Sequence, residues 1–259
     1  YGALKLPQLT PALLERARHA LEATGRAPQT VLHYLKFLRH LCNRAVRDGR
    51  LPRSPFLQVR MPKAPLPPPR FLSLQEERRL KRCLGRSWPW IRLSIVTGLR
   101  RGELLTLRWE YVNLRQRVLT LPHTKAGHPQ HVLLSEEAAA ILAARRRTSP
   151  WVFPSRTGHT PLEGRNFHRR IWKPALDKAK LTGVTLRTLR HTFASRLTMA
   201  GASDRTVAEL LRHSGTTLVQ RYAHLAPSHL RGEVEKVSRF QESAADGRQI
   251  RRRRTRRAS

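Results

Sequence analysis

Cysteine and long apolar runs are scarce in this sequence, and each shortage excludes a class of protein. The 259 residues include only two cysteines, Cys42 and Cys83. Both lie in amphipathic helical patterns, so we expect buried thiols in a reducing compartment and not a disulfide framework. No apolar run approaches the roughly 20 residues of a membrane-spanning helix, and no signal-peptide pattern opens the chain. These absences predict a cytoplasmic location, at the bacterial nucleoid.

Acidic residues are the second shortage. The chain has 17 of them, and only four are aspartates. Two-metal phosphoryl transfer needs carboxylates clustered around the ions, which the scattered aspartates do not offer. The P-loop, zinc-protease and paired-cysteine motifs are also missing, and the three histidines of segment 123–131 match no compact metal site. We therefore predict an activity that uses no metal and no cofactor.

Positive charge dominates the composition instead. Lysine and arginine number 51 against the 17 acidic residues, which gives a formal net charge of +34. Seven arginines lie within the segment 248–259, and the rest of the chain still carries most of the excess. A surplus of this size predicts a polyanionic partner, with nucleic acid as the first candidate.

Composition and periodicity divide the chain into four segments. Residues 1–61 carry two helical stripes of apolar residues and form a helical domain. Because the sequence begins at Tyr1 without methionine, we expect that domain to be N-terminally truncated. Residues 62–70 are rich in proline and predict a semi-rigid linker. Residues 71–240 form a second domain, and residues 241–259 form a basic tail that we expect to be disordered.

The second domain is predicted to be helical with one small sheet. Its first helix opens with the capping-box spacing of Ser73–Glu76. Over residues 111–134 the apolar period changes to two, with a turn at Ala126-Gly127. Helical patterns then return and end in a short last helix that starts near Thr216. The predicted fold class is mainly α with a small antiparallel β-sheet, in two domains.

Five short segments hold the polar residues that suit chemistry on a phosphate. They are Thr97–Glu103, Thr124-Lys125, Leu189–Ser195, Leu211–His213 and Arg221–Leu225. In their order, spacing and flanking apolar residues, from about residue 28 to 230, the sequence resembles the tyrosine recombinase, or phage integrase, family.

The resemblance implies which residues act. Arg100 and Arg190 match the two catalytic arginines of the family, and Tyr222 matches its nucleophile. His213, nine residues before the tyrosine, matches the later catalytic histidine. Lys125 matches the lysine of the hairpin, which would donate a proton to the leaving oxygen.

The resemblance also implies a function and partners. Members of the family are site-specific recombinases that cleave and rejoin double-stranded DNA through a covalent 3′-phosphotyrosyl intermediate, without metal or ATP. A homo-tetramer on paired DNA sites is implied, as is a helical core-binding domain that makes a C-shaped clamp with the catalytic domain. Glu103 matches the acidic residue that supports the first arginine. Arginine suits this chemistry because its planar fork donates two hydrogen bonds and stays charged.

Two positions depart from the family pattern. Arg187 stands where the family usually has the histidine of His-x-x-Arg, and arginine cannot accept a proton at neutral pH. We keep Arg187 among the catalytic candidates as a phosphate contact. His191 lies four residues further along the same helix face and offers a substitute base, although we favour a packed, hydrogen-bonded histidine. Arg212 replaces a common glycine and would either strain the helix end or contact phosphate.

Two other functions fit the same residues. A catalytically decayed DNA-binding protein would keep the fold and the charge, and Arg187 is the residue that favours it. A type IB topoisomerase would share the chemistry. The helical first domain and the segment Leu189–Ser195 favour recombination, and prophage integration, transposition and chromosome dimer resolution all stay open.

Overall fold

The chain divides at its proline-rich segment in the computed structural model, which describes residues 5–63, 68–122 and 127–225. The first unit is Tyr1–Pro67 and the second is Pro68–Ser259. The predicted fold class is confirmed, since the structure is mainly helical with one small antiparallel sheet. Within the described ranges, none of the helices combines the length and the apolar character that a membrane crossing requires.

Two helices, α1 (Pro11–Ala23) and α2 (Pro28–Arg47), make up most of the described part of the first unit. Each begins at a proline, whose fixed φ and missing N–H suit the first helical position. The hydroxyl of Thr10 caps α1 by accepting a hydrogen bond from the N–H of Leu13 at 3.2 Å. The helices bury a small apolar core made of Leu14, Val31, Leu35, Cys42, Phe56 and Val59.

The second unit holds the remaining helices. In chain order they are α3 (Leu74–Leu84), α4 (Trp88–Thr97), α5 (Arg101–Leu105), α6 (Glu136–Ala143), α7 (Gly164–Phe167), α8 (Lys173–Lys178), α9 (Leu186–Met199) and α10 (Asp204–Leu211). A π-helical stretch, His168–Trp172, joins α7 to α8, and a 3-10 helix, Gln220–Leu225, follows α10. Both thiols are free, and Cys83 on α3 is half-buried where Cys42 on α2 is fully buried.

A three-stranded antiparallel sheet lies between α5 and α6 in the sequence. Its strands are β1 (Val112–Asn113), β2 (Val118–Leu121) and β3 (Gln130–Leu133), in the order β1-β2-β3. Leu119 pairs with Val112 on one side and with Val132 on the other. The predicted turn at Ala126-Gly127 lies partly outside the described residues.

Local signals explain where several helices begin and end. The predicted capping box is present, because Ser73 Oγ accepts from the N–H of Glu76 at 3.2 Å and Glu76 Oε2 accepts from the N–H of Ser73 at 2.9 Å. The helical region that this capping box opens is divided into α3, α4 and α5. Gly85 (φ 48°) and Gly98 (φ 61°) follow the first two of these helices with a positive φ, which glycine adopts without steric cost.

The last helix also differs from its predicted form. A turn stands at Thr216, where the N–H of Val219 donates to its carbonyl at 2.7 Å. The helix itself is a 3-10 helix that begins at Gln220. Helices whose hydrogen bonds close over three residues are usually short, because their hydrogen-bond geometry is poorer than that of an α-helix.

Helix α4 lies between two apolar cores of the second unit. Ile91 and Ile95 face a core that includes Trp172, whereas Leu93 faces a core that includes Leu119 of the sheet. A further cluster joins α9, α10 and the 3-10 helix through Ala194, Val207, Leu211, Val219 and Tyr222. Because α4 and α9 also pack on each other, the ends of α4 and α10 are both held against the first half of α9.

Candidate active site

The guanidinium of Arg190 ties together the ends of two helices. This side chain projects from α9 and is only 8% exposed. Its Nη1 donates to the carbonyl of Gly98, just after α4, at 2.5 Å, and its Nη2 donates to the carbonyl of Leu211 at the end of α10. Gly98 is essential to this arrangement, since a Cβ at that position would lie 2.5 Å from the Phe193 ring.

Burial and neighbouring cations act on the charge of Arg190. Burial, together with the positive charges of Arg100 and Arg212, lowers its pKa to about 9, while Glu103 opposes the shift. Arg190 therefore remains charged at neutral pH, and its two acceptors are neutral carbonyls. A buried cation held in this way favours an anion placed beside it.

Arg100 precedes α5 and is held by the carboxylate of Glu103. Its backbone N–H donates to Glu103 Oε2 at 2.8 Å, and its Nη1 donates to Oε1 at 2.7 Å. The Arg100 side chain is 43% exposed, in contrast to the buried Arg190. Glu103 therefore contacts both the backbone and the side chain of Arg100, as a residue that supports Arg100 would.

Arg212 is the second cation on Glu103. It ends α10 in the left-handed conformation, with φ 55° and ψ 47°. Its Nη2 lies 2.8 Å from Glu103 Oε2, and its side chain is 4% exposed. Of the two roles predicted for Arg212, a phosphate contact does not fit this buried, inward-facing side chain, whereas the left-handed helix end is present.

The carboxylate of Glu103 is charged despite its surroundings. Burial acts to raise its pKa, but the hydrogen bonds from Arg100 and the charge of Arg212 outweigh burial and hold the pKa below its usual value. Glu103 thus stays ionised at neutral pH and links the start of α5 to the end of α10. This link fixes where the Arg100 guanidinium can lie.

The phenol of Tyr222 contacts a histidine of α9. Tyr222 is 3% exposed and packs against Val219 and Leu211 in the cluster that joins α10 to the 3-10 helix. Its Oη lies 2.5 Å from Nδ1 of His191, and the two ring centroids are 5.9 Å apart at 48°. His191 was expected to be a packed, hydrogen-bonded histidine, and its partner is the predicted nucleophile.

The protonation states of this pair set the direction of the hydrogen bond. Burial, with smaller contributions from the charges of Arg221 and Arg187, lowers the pKa of His191 to about 4. Burial raises the pKa of Tyr222, although Arg221, Arg190 and Arg187 act in the opposite direction. At neutral pH the tyrosine is therefore protonated and the histidine neutral, so the Tyr222 hydroxyl donates to His191 Nδ1.

His213 follows α10 directly and faces the arginines. Its backbone N–H donates to the carbonyl of Ala208 at 2.9 Å, which fixes its position after the left-handed Arg212. Burial, together with the charges of Arg190 and Arg100, lowers the pKa of the His213 imidazole to about 4. Its Nδ1 is buried without a hydrogen-bond partner among the described atoms. The neutral ring keeps one N–H that can donate to a substrate.

The structure thus brings most of the predicted site residues into one region. The charges of Arg100 and Tyr222 act on Arg190, and those of Arg190 and Arg100 act on His213. Glu103 lies behind Arg100. Arg187 is exposed in the first turn of α9, close enough for its charge to act on His191 and Tyr222. Lys125 lies outside the described residues, as do the tail arginines.

His191 and Arg212 are the residues whose roles the sequence left undecided. The spacing of four residues from position 187 to position 191 was the one signal that pointed to His191, since such residues share a helix face. Nothing in the sequence pairs Arg212 with Glu103, which is 109 residues away. Within 5–63, 68–122 and 127–225, no group of three His, Cys, Asp or Glu side chains is placed to hold a metal ion.

Comparison with known proteins gives one family. The sequence model of the phage integrase family matches residues 76–229, which include Arg100, Arg190 and Tyr222. Tyrosine recombinase XerC of Xanthomonas campestris pv. campestris is 32% identical over 240 residues, which cover 88% of this chain and 74% of XerC. The integrase of Salmonella phage P22 is 28% identical over 225 residues, which cover 82% of this chain and 58% of that integrase.

A solved structure gives the same fold. The Tn1549 transposon integrase, in complex with a circular intermediate DNA, matches with a TM-score of 0.71. The match covers 89% of this chain and 86% of that chain at 19% sequence identity. The arrangement of helices and sheet is therefore similar to that of a transposon integrase.

Proposed function

The chain belongs to the phage integrase family of tyrosine recombinases, and we propose that it is a site-specific recombinase that cleaves and rejoins double-stranded DNA through Tyr222. The observation that carries this proposal is the convergence of Arg100, Arg190, His213 and Tyr222 around the first half of α9. Three nitrogen donors and one buried phenol form a site for a phosphodiester.

The chemistry follows from the charges of these groups. Attack by the Tyr222 oxygen on phosphorus builds negative charge on the two non-bridging oxygens. Arg190 and Arg100 are fixed in place before the reaction, so they stabilise that charge without reorganisation. His213 adds a neutral N–H donor. Positioned guanidinium groups can in this way stabilise the negative charge that a metal ion stabilises in other enzymes.

The bonds balance in a reversible exchange. A bond forms between Tyr222 Oη and phosphorus, and the bond from phosphorus to the 5′-oxygen breaks. The 5′-oxygen leaves as a hydroxyl after taking a proton, which we assign to Lys125 on the basis of the family resemblance. One phosphodiester replaces another of similar energy, so rejoining by a 5′-hydroxyl needs no ATP.

The charge and the relatives support DNA as the substrate. A net charge of +34 favours a polyanion over a protein or small-molecule partner. The matched proteins are named as a tyrosine recombinase and an integrase, and the matched solved structure holds DNA. Exchange between two duplexes needs four strand cleavages, and each copy offers one Tyr222. We therefore propose a homo-tetramer on paired sites.

Tyr222→Phe tests this proposal. The variant should lose covalent attachment to DNA completely while it binds DNA almost unchanged, because only the phenolic oxygen is removed from a buried ring. The substrate is a set of duplexes selected from a random library by binding, with a nick placed at each position in turn to trap the cleaved strand. Gel electrophoresis after denaturation counts the protein–DNA adduct.

Tyr111→Phe is the matched control, because it removes a phenolic oxygen elsewhere in the second unit. It should form as much adduct as the unmodified protein. An adduct formed by the Tyr222→Phe variant would overturn the assignment of the nucleophile. Absence of adduct from the unmodified protein on every nicked duplex would instead favour a decayed DNA-binding protein.

A further inference from the structure

We propose that His191 accepts the proton of Tyr222 during DNA cleavage, in place of a base at position 187. This inference rests on the proposed function, since it concerns the same nucleophile. Position 187 holds an arginine, which has no lone pair available for a proton. Among the described residues, His191 nevertheless forms a hydrogen bond with the phenol and can accept its proton.

Geometry carries the assignment. A general base must lie within hydrogen-bond reach of the proton that it removes. His191 Nδ1 meets this condition, at 2.5 Å from Tyr222 Oη. Residues 187 and 191 lie one turn apart on the same face of α9, about 5–6 Å along the helix. The proposed base therefore lies one helical turn after position 187, where the family usually has a histidine.

The surroundings of the pair favour a neutral acceptor. Arg187 and Arg190 approach it from α9, Arg221 from the 3-10 helix and His213 from the segment after α10. Together with burial, these groups keep the His191 ring unprotonated at neutral pH, so that Nδ1 has a free lone pair. A scissile phosphate bound among the same arginines would offset their charge and raise the pKa of His191 towards its ordinary value of about 6.5. DNA binding would thus strengthen the base.

The proton transfer balances in both directions. During cleavage, the Oη–H proton passes to Nδ1 as the bond from Oη to phosphorus forms and the bond to the 5′-oxygen breaks. During rejoining, the 5′-hydroxyl attacks phosphorus, and the His191 imidazolium returns its proton to Oη as the tyrosine leaves. The tautomer that this requires carries its own proton on Nε2 of His191.

The decisive experiment compares His191→Asn with the unmodified protein. Asparagine keeps a hydrogen-bond acceptor near the position of Nδ1 but cannot take up a proton. Single-turnover rates of adduct formation on the nicked duplex are measured between about pH 5 and pH 9. We expect the variant to be slower by about 10²-fold near neutrality. Its rate should keep rising with pH, whereas the rate of the unmodified protein should reach a plateau once His191 is deprotonated.

Two further measurements separate proton transfer from a structural role. Added imidazole should restore part of the rate of His191→Ala, which leaves room for the missing ring. A substrate with sulfur in place of the bridging 5′-oxygen has a leaving group that needs no protonation. That substrate should rescue Lys125→Ala, which lacks the acid, and should not rescue His191→Asn, which lacks the base.

His159→Asn is the matched control, since it changes an exposed histidine of the same unit and should retain the rate and the pH profile. If His191→Asn fails to fold by circular dichroism, His191→Gln gives the same comparison. A His191 variant with the unmodified rate and plateau, beside an inactive Tyr222→Phe, would overturn this inference and leave the proposed function intact. If the unmodified protein formed no adduct on any nicked duplex, that result would instead contradict the proposed function.

Discussion

Arg187 and His191 make different contributions to the surroundings of the Tyr222 phenol. Arg187 is exposed and cationic, whereas His191 is half-buried and neutral. Burial is the main cause of the low pKa of His191, and Arg187 is among the charges that lower it further. The arginine therefore tunes the proposed base and remains free to contact a phosphate oxygen.

Arg187→Ala should change two separate quantities. The plateau rate of adduct formation should fall by about 10- to 100-fold, because a charge-assisted hydrogen bond to the phosphate is lost. The midpoint of the pH–rate profile should move to higher pH, because removing a positive charge raises the pKa of His191 and a higher pH is then needed to deprotonate it. Single-turnover rates across the pH range measure both.

Arg187→Lys is the control for that prediction, since it retains the charge. Its midpoint should stay near that of the unmodified protein even if its plateau falls, because lysine cannot donate the paired hydrogen bonds of a guanidinium. Equal rates and midpoints for the Arg, Lys and Ala forms would place position 187 outside the active site.

The residue that ends α10, Arg212, acts through its backbone and through its side chain. A left-handed residue at this position commonly ends a helix, and glycine adopts that conformation without strain. Arg212 adopts it with φ 55° and places its side chain on Glu103. The backbone of this residue turns the chain towards His213, and its side chain fixes Glu103 behind Arg100.

Substitutions at position 212 separate these two contributions. Arg212→Ala should lower the free energy of unfolding by about 2–3 kcal/mol, because it removes the buried ion pair and keeps the strained backbone. Arg212→Gly should lose about 1 kcal/mol less, because glycine relieves the left-handed strain. Urea denaturation of the two variants gives the difference directly. An Ala variant as stable as the Gly variant would mean that the backbone at position 212 is unstrained.

Positive charge dominates the composition of the chain, with a formal net charge of +34. Seven of the arginines lie in the segment 248–259, which is outside the described residues. Contacts with phosphates release counterions, so affinity for DNA falls steeply with salt, by about 10³–10⁵ between 50 and 200 mM for six to ten contacts. We expect the tail to add to this general attraction and not to the chemistry around Tyr222.

Removal of residues 248–259 should weaken binding to every DNA sequence and flatten the dependence of affinity on salt. The order of preference among sites should stay the same. Fluorescence anisotropy titrations at several salt concentrations, on the selected duplex and on an unrelated one, measure both effects. A full-length variant with the seven tail arginines replaced by glutamine is the control for chain length. A loss confined to the selected duplex would show that the tail reads sequence.

Several helix boundaries and the polar segments of the site follow from local signals in the amino-acid sequence. Ser73 and Glu76 form their capping box within three residues, and Gly98 ends α4 by its own conformational freedom. Hydrogen bonds and periodicities of this kind act over one or two helical turns, so the chain encodes them locally.

The contacts that join those segments depend instead on how distant parts of the chain pack together. The Arg190 guanidinium bonds to a carbonyl 92 residues away, Arg212 pairs with Glu103 at a separation of 109 residues, and His191 meets Tyr222 across 31 residues. Each contact depends on how α4, α9 and α10 pack, and on the burial that packing creates. Because a side chain's partner and its desolvation are set by packing and not by neighbours in sequence, the hydrogen bond between His191 and Tyr222 and the pairing of Arg212 with Glu103 became visible only in the folded chain.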